Sequence, residues 1–146
     1  MRRPWLKCQP PVRTPFNYRI QFLALLLPLA ASPAFAELAW TTDLPKAVEK
    51  AKSENKLVLM DFTGSDWCGW CIKLNKEVFS TPEFAEYAKK NLVPVEIDFP
   101  TKKAQSAELK KANKDLQKQY GIQGYPTIVV LNGEGKKVGE LGYMAG

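Results

Sequence analysis

The stretch Leu57-Val58-Leu59-Met60-Asp61-Phe62-Thr63-Gly64-Ser65-Asp66-Trp67-Cys68-Gly69-Trp70-Cys71 decides how this chain folds. It opens on an apolar run that ends in an acid, the pattern of a central strand buried on both faces. Thr63 to Asp66 is turn chemistry. Two cysteines three apart then begin a helix that runs on through Leu74 to Val78. At i and i+3 they share one helix face, with Cβ atoms close enough to bridge. The helix N-terminus supplies unpaired N–H groups and a partial positive charge, both favouring a thiolate on the first sulfur. Cys68 is therefore the candidate nucleophile and Cys71 the candidate resolving thiol of a reversible dithiol/disulfide switch.

The surrounding residues alternate between helical and extended patterns. Asp43 and Pro45 suit the start of a helix over 44–54, with Leu44, Ala47, Val48 and Ala51 on its apolar face. Ser80-Thr81-Pro82-Glu83 caps a helix over 84–90 with Phe84, Tyr87 and Ala88 inward, and Leu92 to Ile97 reads as a strand. Asp98 to Lys103 is expected to be a loop. A lysine-rich helix over 107–120 turns Leu109, Ala112, Leu116 and Tyr120 inward, its charges an ordinary solvated face. Thr127 to Leu131 and Lys137 to Leu141 form a hairpin around Asn132-Gly133-Glu134-Gly135. No internal repeat is present. Strand and helix alternate first and a hairpin follows, which predicts one α/β domain with a central mixed β-sheet flanked by helices.

Residues 1–36 read as an address and not as fold. Arg2, Arg3, Lys7, Arg13 and Arg19 precede an apolar stretch from Ile20 to Ala31, and Ala34-Phe35-Ala36 has the small-x-small form of a cleavage site. A membrane span needs about 20 apolar residues, and this stretch offers about 12. We therefore expect a signal peptide over 1–36, a domain over 37–146, no stable membrane insertion after cleavage, and a periplasmic or secreted location. An uncleaved anchor is the competing reading. The leader holds Cys8, to which no role is assigned.

The leader also carries the charge. The whole chain is +6, yet residues 37–146 hold 16 lysines against 15 acids, a net +1. Nothing in that balance supports nucleic-acid binding. Beyond residue 36 there are only two cysteines, in one C-x-x-C. So short a loop adds little to unfolded-chain entropy, and chemistry explains the pair better than stapling does.

Three features together resemble the thioredoxin superfamily: Asp61-Phe62 before the cysteine loop, Trp67-Cys68-Gly69-Trp70-Cys71, and Gly124-Tyr125-Pro126-Thr127 opening a late strand. The longer runs 61–68 and 121–127 resemble exported bacterial thioredoxin-like proteins related to the C-terminal domain of the transmembrane thiol:disulfide interchange protein. The resemblance covers nearly all of residues 37–146. It implies that Cys68 attacks a substrate disulfide and Cys71 resolves the mixed disulfide. It implies that Pro126 is a cis-proline and that the backbone of Tyr125 pairs with an extended substrate strand. Asp61 resembles the buried acid that takes a proton from the resolving thiol. Trp67, Gly69 and Trp70 are candidates for an apolar substrate platform, with Trp67 as mere core cover the equal alternative. The implied partners are protein thiols or disulfides and an upstream electron donor, with no cofactor beyond the Cys68–Cys71 pair.

Departures from the family bear on these roles. One more residue separates Asp61 from Cys68 than in ordinary thioredoxin, which leaves Asp61's reach to Cys71 open. Pro94, Val95 and Glu96 occupy the stretch where the family places a lysine. Gly69-Trp70 replaces Gly-Pro, and the chain has no histidine to stabilise a thiolate. A reducing character is expected over a strongly oxidising one. Relatives continue past the equivalent of Gly142-Tyr143-Met144-Ala145-Gly146 into a final helix, so the resemblance implies a missing C-terminal helix and a partly exposed sheet face.

Other classes fit less well. Two cysteines without histidine fall short of a zinc site. Haem attachment requires a histidine where Ile72 stands. A peroxidase requires a threonine-cysteine pocket that is missing here. The main rival is a redox-inactive binding module of the same fold, or a truncated fragment of an active one.

Overall fold

The computed structural model describes residues 38–142. The expected leader over 1–36, with Cys8, and residues 143–146 of the chain end lie outside them. In order along the chain run α1 (Leu44–Glu54), β1 (Leu57–Thr63), α2 (Gly69–Leu74), a π-helical turn (Asn75–Phe79), α3 (Pro82–Asn91), β2 (Leu92–Asp98), α4 (Ala107–Tyr120), β3 (Thr127–Leu131) and β4 (Lys137–Gly142). The four strands form one mixed sheet in the order β2-β1-β3-β4. β1 pairs parallel with β2 and antiparallel with β3, and β4 closes the hairpin.

Each helix begins on the residue whose side chain can take an orphan N–H. Asp43 accepts from Lys46 N, Thr81 from Phe84 N and Ser106 from Leu109 N. Helix α1 ends on Asn55 and α4 on Gly121, both left-handed (φ 54° and 68°), as a C-terminal cap requires. The helix after the cysteines does not stay regular. The N–H of Asn75 bonds both Cys71 O and Ile72 O, and the backbone widens into the π turn.

Alternation along β1 divides the core between the two sheet faces. Val58, Met60 and Phe62 face α1 and α4 together with Val93, Val95, Ile97, Val129 and Leu131, all under Ala47 and Ala51. Met60 and Phe62 are fully buried, each contributing about 1.5–3 kcal/mol by removal from water. Leu59 and Ile128 face the other way, into Phe79, Ala88 and Leu92. There Trp40, Phe79 and Phe84 stack in series at 5.1 and 5.0 Å. Thr41 bridges to Val95 and covers the outer edge of β2. Leu141 on β4 is 60% exposed.

Two helix faces differ from their periodicity. Tyr87 points to solvent, leaving Phe84 and Ala88 to anchor α3. In α4 the buried residue is Asn113, with Ala112 exposed. Asn113 turns inward because its Nδ2 donates to Asp98 O at 2.8 Å, tying the helix to the end of β2. Among the described residues no helix is long and apolar enough to cross a membrane.

Candidate active site

The end of β1 delivers the chain into a turn held from both sides. The N–H groups of Trp67 and Cys68 both donate to Gly64 O, at 3.2 and 2.8 Å. Gly64 is required by close approach, since a Cβ there would lie 2.5 Å from Cε2 of Trp67. Trp67 lies across that glycine, half exposed, and its Nε1 donates to Phe99 O at 2.8 Å.

The loop after β2 receives this turn. Asp98 accepts from Ser65 N at 2.9 Å and from Ser65 Oγ at 2.6 Å. Asp66 accepts the backbone N–H groups of Thr101, Lys102 and Lys103 at 3.0, 2.7 and 2.9 Å. Those donors, Thr101 first, hold the Asp66 carboxyl down at about 2. Two aspartates thus latch the turn that carries the cysteines to the loop over 98–103.

Cys68 and Cys71 are joined in a disulfide with Cα atoms 5.2 Å apart, and both residues are nearly buried. Cys68 caps α2 with its own sulfur, which accepts from Cys71 N at 3.2 Å. That N–H would meet a thiolate on Cys68 once the bond is reduced, and charge on the acceptor strengthens such a bond. The disulfide is the chemically competent group of the site, because it can accept two electrons and release them again.

The other residues expected at the site fall into two groups. Trp67 and Trp70 are exposed beside the disulfide, at 47% and 55%, with Gly69 between the cysteines. Tyr125 stands edge-on to Trp67 at 5.9 Å, and Phe99 lies 5.2 Å from Tyr125. Three aromatic rings therefore join the turn, the loop after β2 and the start of β3. Pro126 is buried and its peptide bond with Tyr125 is cis. Lys73 Nζ lies 5.5 Å over the Trp70 ring.

Asp61 belongs to the second group. It shares a face of β1 with Leu59 and Thr63, on the side of α2, and is 6% exposed. It and Cys71 line one cavity of about 410 Å³. Burial, then the charges of Glu96 and Asp98, lifts its pKa from 3.8 to about 7. A carboxyl poised there can hold or release a proton near neutrality.

Reading the sequence did not assign Glu96, Asp98, Asp66, Phe99 or Lys103 to the site. One signal was available for the first two. Glu96-Ile97-Asp98 at the end of an apolar strand puts both acids on one face, as strand parity requires.

A family model described as a thioredoxin-like domain matches residues 44–146. The chain belongs to that family. It is 38% identical over 113 residues to the disulfide bond reductase DsbH of Chlamydia pneumoniae, covering 77% of this chain and 68% of that protein. A solved structure titled DsbH oxidoreductase superposes with a TM-score of 0.71 at 38% identity, covering 76% of each chain. The thiol:disulfide interchange protein DsbD of Cronobacter sakazakii is 31% identical over 105 residues, which is 72% of this chain but 16% of that longer protein. The thioredoxin-like fold, the Cys68–Cys71 disulfide and these relatives make the chain an enzyme of the thiol–disulfide oxidoreductase family.

Proposed function

We propose that this protein is an exported thiol–disulfide oxidoreductase that reduces disulfides in other proteins. The observation that carries the reading is the Cys68–Cys71 disulfide at the head of α2, backed by Asp61 in the cavity that Cys71 lines. In the reduced enzyme, the Cys68 thiolate attacks one sulfur of a substrate disulfide and expels the other as a thiolate. Asp61 takes the proton from Cys71. The Cys71 thiolate then attacks Cys68, closes the enzyme disulfide and releases the substrate's second sulfur. Two electrons pass from the enzyme to the substrate, and an upstream dithiol must return them. Trp67, Gly69, Trp70 and Tyr125 would form the face on which the substrate lies, and the backbone of Tyr125, before Pro126, would pair with it.

What surrounds the sulfurs supports the reducing direction. Gly69 and Trp70 stand between the cysteines and the chain has no histidine, so no imidazolium is available to stabilise the reduced thiolate. The name of the Chlamydia pneumoniae relative, a disulfide bond reductase, agrees with that reading. The basic, then apolar, then Ala34-Phe35-Ala36 sequence of the leader supports export and a domain over 37–146.

Equilibration with glutathione buffers of graded ratio, read by alkylation of Cys68 and Cys71, tests the proposal. A single two-electron transition nearer about −270 mV than about −120 mV supports a reductant. A midpoint at the oxidising end reverses the direction, and no transition reduces the protein to a binding module. N-terminal sequencing of protein from the cell envelope should begin near Glu37, and an intact Met1 there would refute cleavage.

A further inference from the structure

The cavity beside Cys71 contains a second carboxylate that the mechanism above does not use. Glu96 is the register partner of Asp61 on the parallel strand β2, and both line the cavity. Adjacent strands lie about 4.8 Å apart, so two side chains on one face at one register position are immediate neighbours. Asp61 Oδ1 is buried without a hydrogen-bond donor. An ionised carboxylate is costly in that setting, and a like charge alongside raises the cost.

Asp98, also on β2, has its carboxylate taken up by Ser65. Lys76 on the π turn and Lys103 on the loop after β2 line the cavity, as does Cys71 on α2. Lys103 Nζ bonds Ser65 Oγ at 3.1 Å. Its charge opposes the upward push that burial and Asp98 exert on Glu96. On β3 the register partner of Asp61 is Ile128, which contributes no charge. Glu96 is half-buried where Asp61 is enclosed, so of the two carboxylates Glu96 is the one that reaches solvent.

We infer that Asp61 and Glu96 act as one proton-holding couple behind Cys71, with Glu96 relaying the proton between Asp61 and solvent at the Lys103 side of the cavity. The inference rests on the oxidoreductase reading and deepens it. In the resolving step the Cys71 thiol gives its proton to the Asp61 carboxylate, and the resulting thiolate forms the bond to Cys68. The departing substrate thiolate leaves with the electron pair of the broken bond. The proton on Asp61 then passes to Glu96 and on to water, which restores the carboxylate. Glu96 touches no reacting atom and acts only through Asp61.

Carbon-13 NMR titration of the side-chain carboxyls in the oxidised protein tests the couple directly. In the wild type, the Asp61 and Glu96 resonances should each respond to the other's titration. Glu96→Gln should leave Asp61 with a single step displaced to lower pH. Lys103→Met, at an exposed position, should displace the shared step to higher pH. The pH midpoint for resolution of a preformed mixed disulfide should move in the same two directions. An Asp61 titration indifferent to both substitutions overturns the inference, even where the enzyme turns over normally. Coupled titrations in a protein that reduces no disulfide would instead support the couple and refute the oxidoreductase reading.

Discussion

The buried acid sets a measurable cost on the stability of the oxidised enzyme. Asp61 titrates at 3.8 in an ordinary setting and at about 7 here, with burial the largest cause. Its folded-state pKa is raised, so the native protein holds the proton more firmly than the unfolded chain does. The associated stability is fully present below 3.8 and is lost as pH rises through about 7. At ~1.36 kcal/mol per unit, that span corresponds to about 4 kcal/mol between pH 4 and pH 8. Asp61→Asn keeps the shape and removes the titration. Its amide adds a cost that is constant with pH, so the slopes of the two proteins are to be compared and not their absolute stabilities. Urea unfolding of both oxidised proteins at half-unit intervals gives those slopes. With a slope of about 2 kcal/mol per M urea, the wild-type midpoint should fall by roughly 2 M relative to the variant across the window. Parallel pH profiles would refute the reasoning, because they would mean that Asp61 is ionised as easily in the fold as in water.

Three further outcomes follow from the site. Cys68→Ser should lose disulfide reduction altogether, whereas Cys71→Ser should accumulate mixed disulfides visible on non-reducing gels; reduction by the Cys68 variant would move the chemistry elsewhere. Gly64→Ala places a methyl 2.5 Å from the Trp67 ring, and by overpacking should cost about 1–3 kcal/mol in urea unfolding, with loss of the indole N–H bond to Phe99 O in proton NMR. Acid should release the latch only late. The Asp66 carboxylate is held at about 2, so the stability it lends is present above 3.8 and is lost as pH falls through about 2. The backbone amide resonances of Thr101 to Lys103 should therefore be steady from pH 7 to pH 4 and shift only below pH 3, and earlier movement would contradict the hydrogen bonds to Asp66.

Local signals carried most of the fold. The spacing of Leu44, Ala47, Val48 and Ala51 between Asp43 and Asn55 places α1 correctly, because capping chemistry and apolar period agree there. The run from Leu57 to Phe62 announces a buried strand, and the cysteines mark the helix after it. In α4 the apolar period named Ala112, yet Asn113 is the buried residue. A methyl group gains little from burial, and Asn113 gains a hydrogen bond to Asp98 O that no periodicity encodes. The π turn over Asn75–Phe79 was equally hidden, because no apolar period marks where a helix widens. Cys68, Cys71 and Asp61 were legible one by one. The neighbour of Asp61 was not, because the register that sets Glu96 beside it is a property of two strands 35 residues apart in the chain.

Asp61 and Cys68 stand at the two ends of one turn, from the last residues of β1 to the cap of α2. Gly64 begins the turn between them: its carbonyl receives two successive N–H groups, from Trp67 and Cys68, and the backbone turns back on itself. Ser65 and Asp66 sit half-buried in that turn, and the same two residues make the bonds that fasten it to the loop over 98–103. The turn is thus latched, and Cys71 lines the same cavity as Asp61. The latch has a second consequence. It fixes Lys103 through Ser65 Oγ, and so holds a positive charge near Glu96. One local geometry therefore sets both where the disulfide stands and the positive charge that opposes the upward push on Glu96.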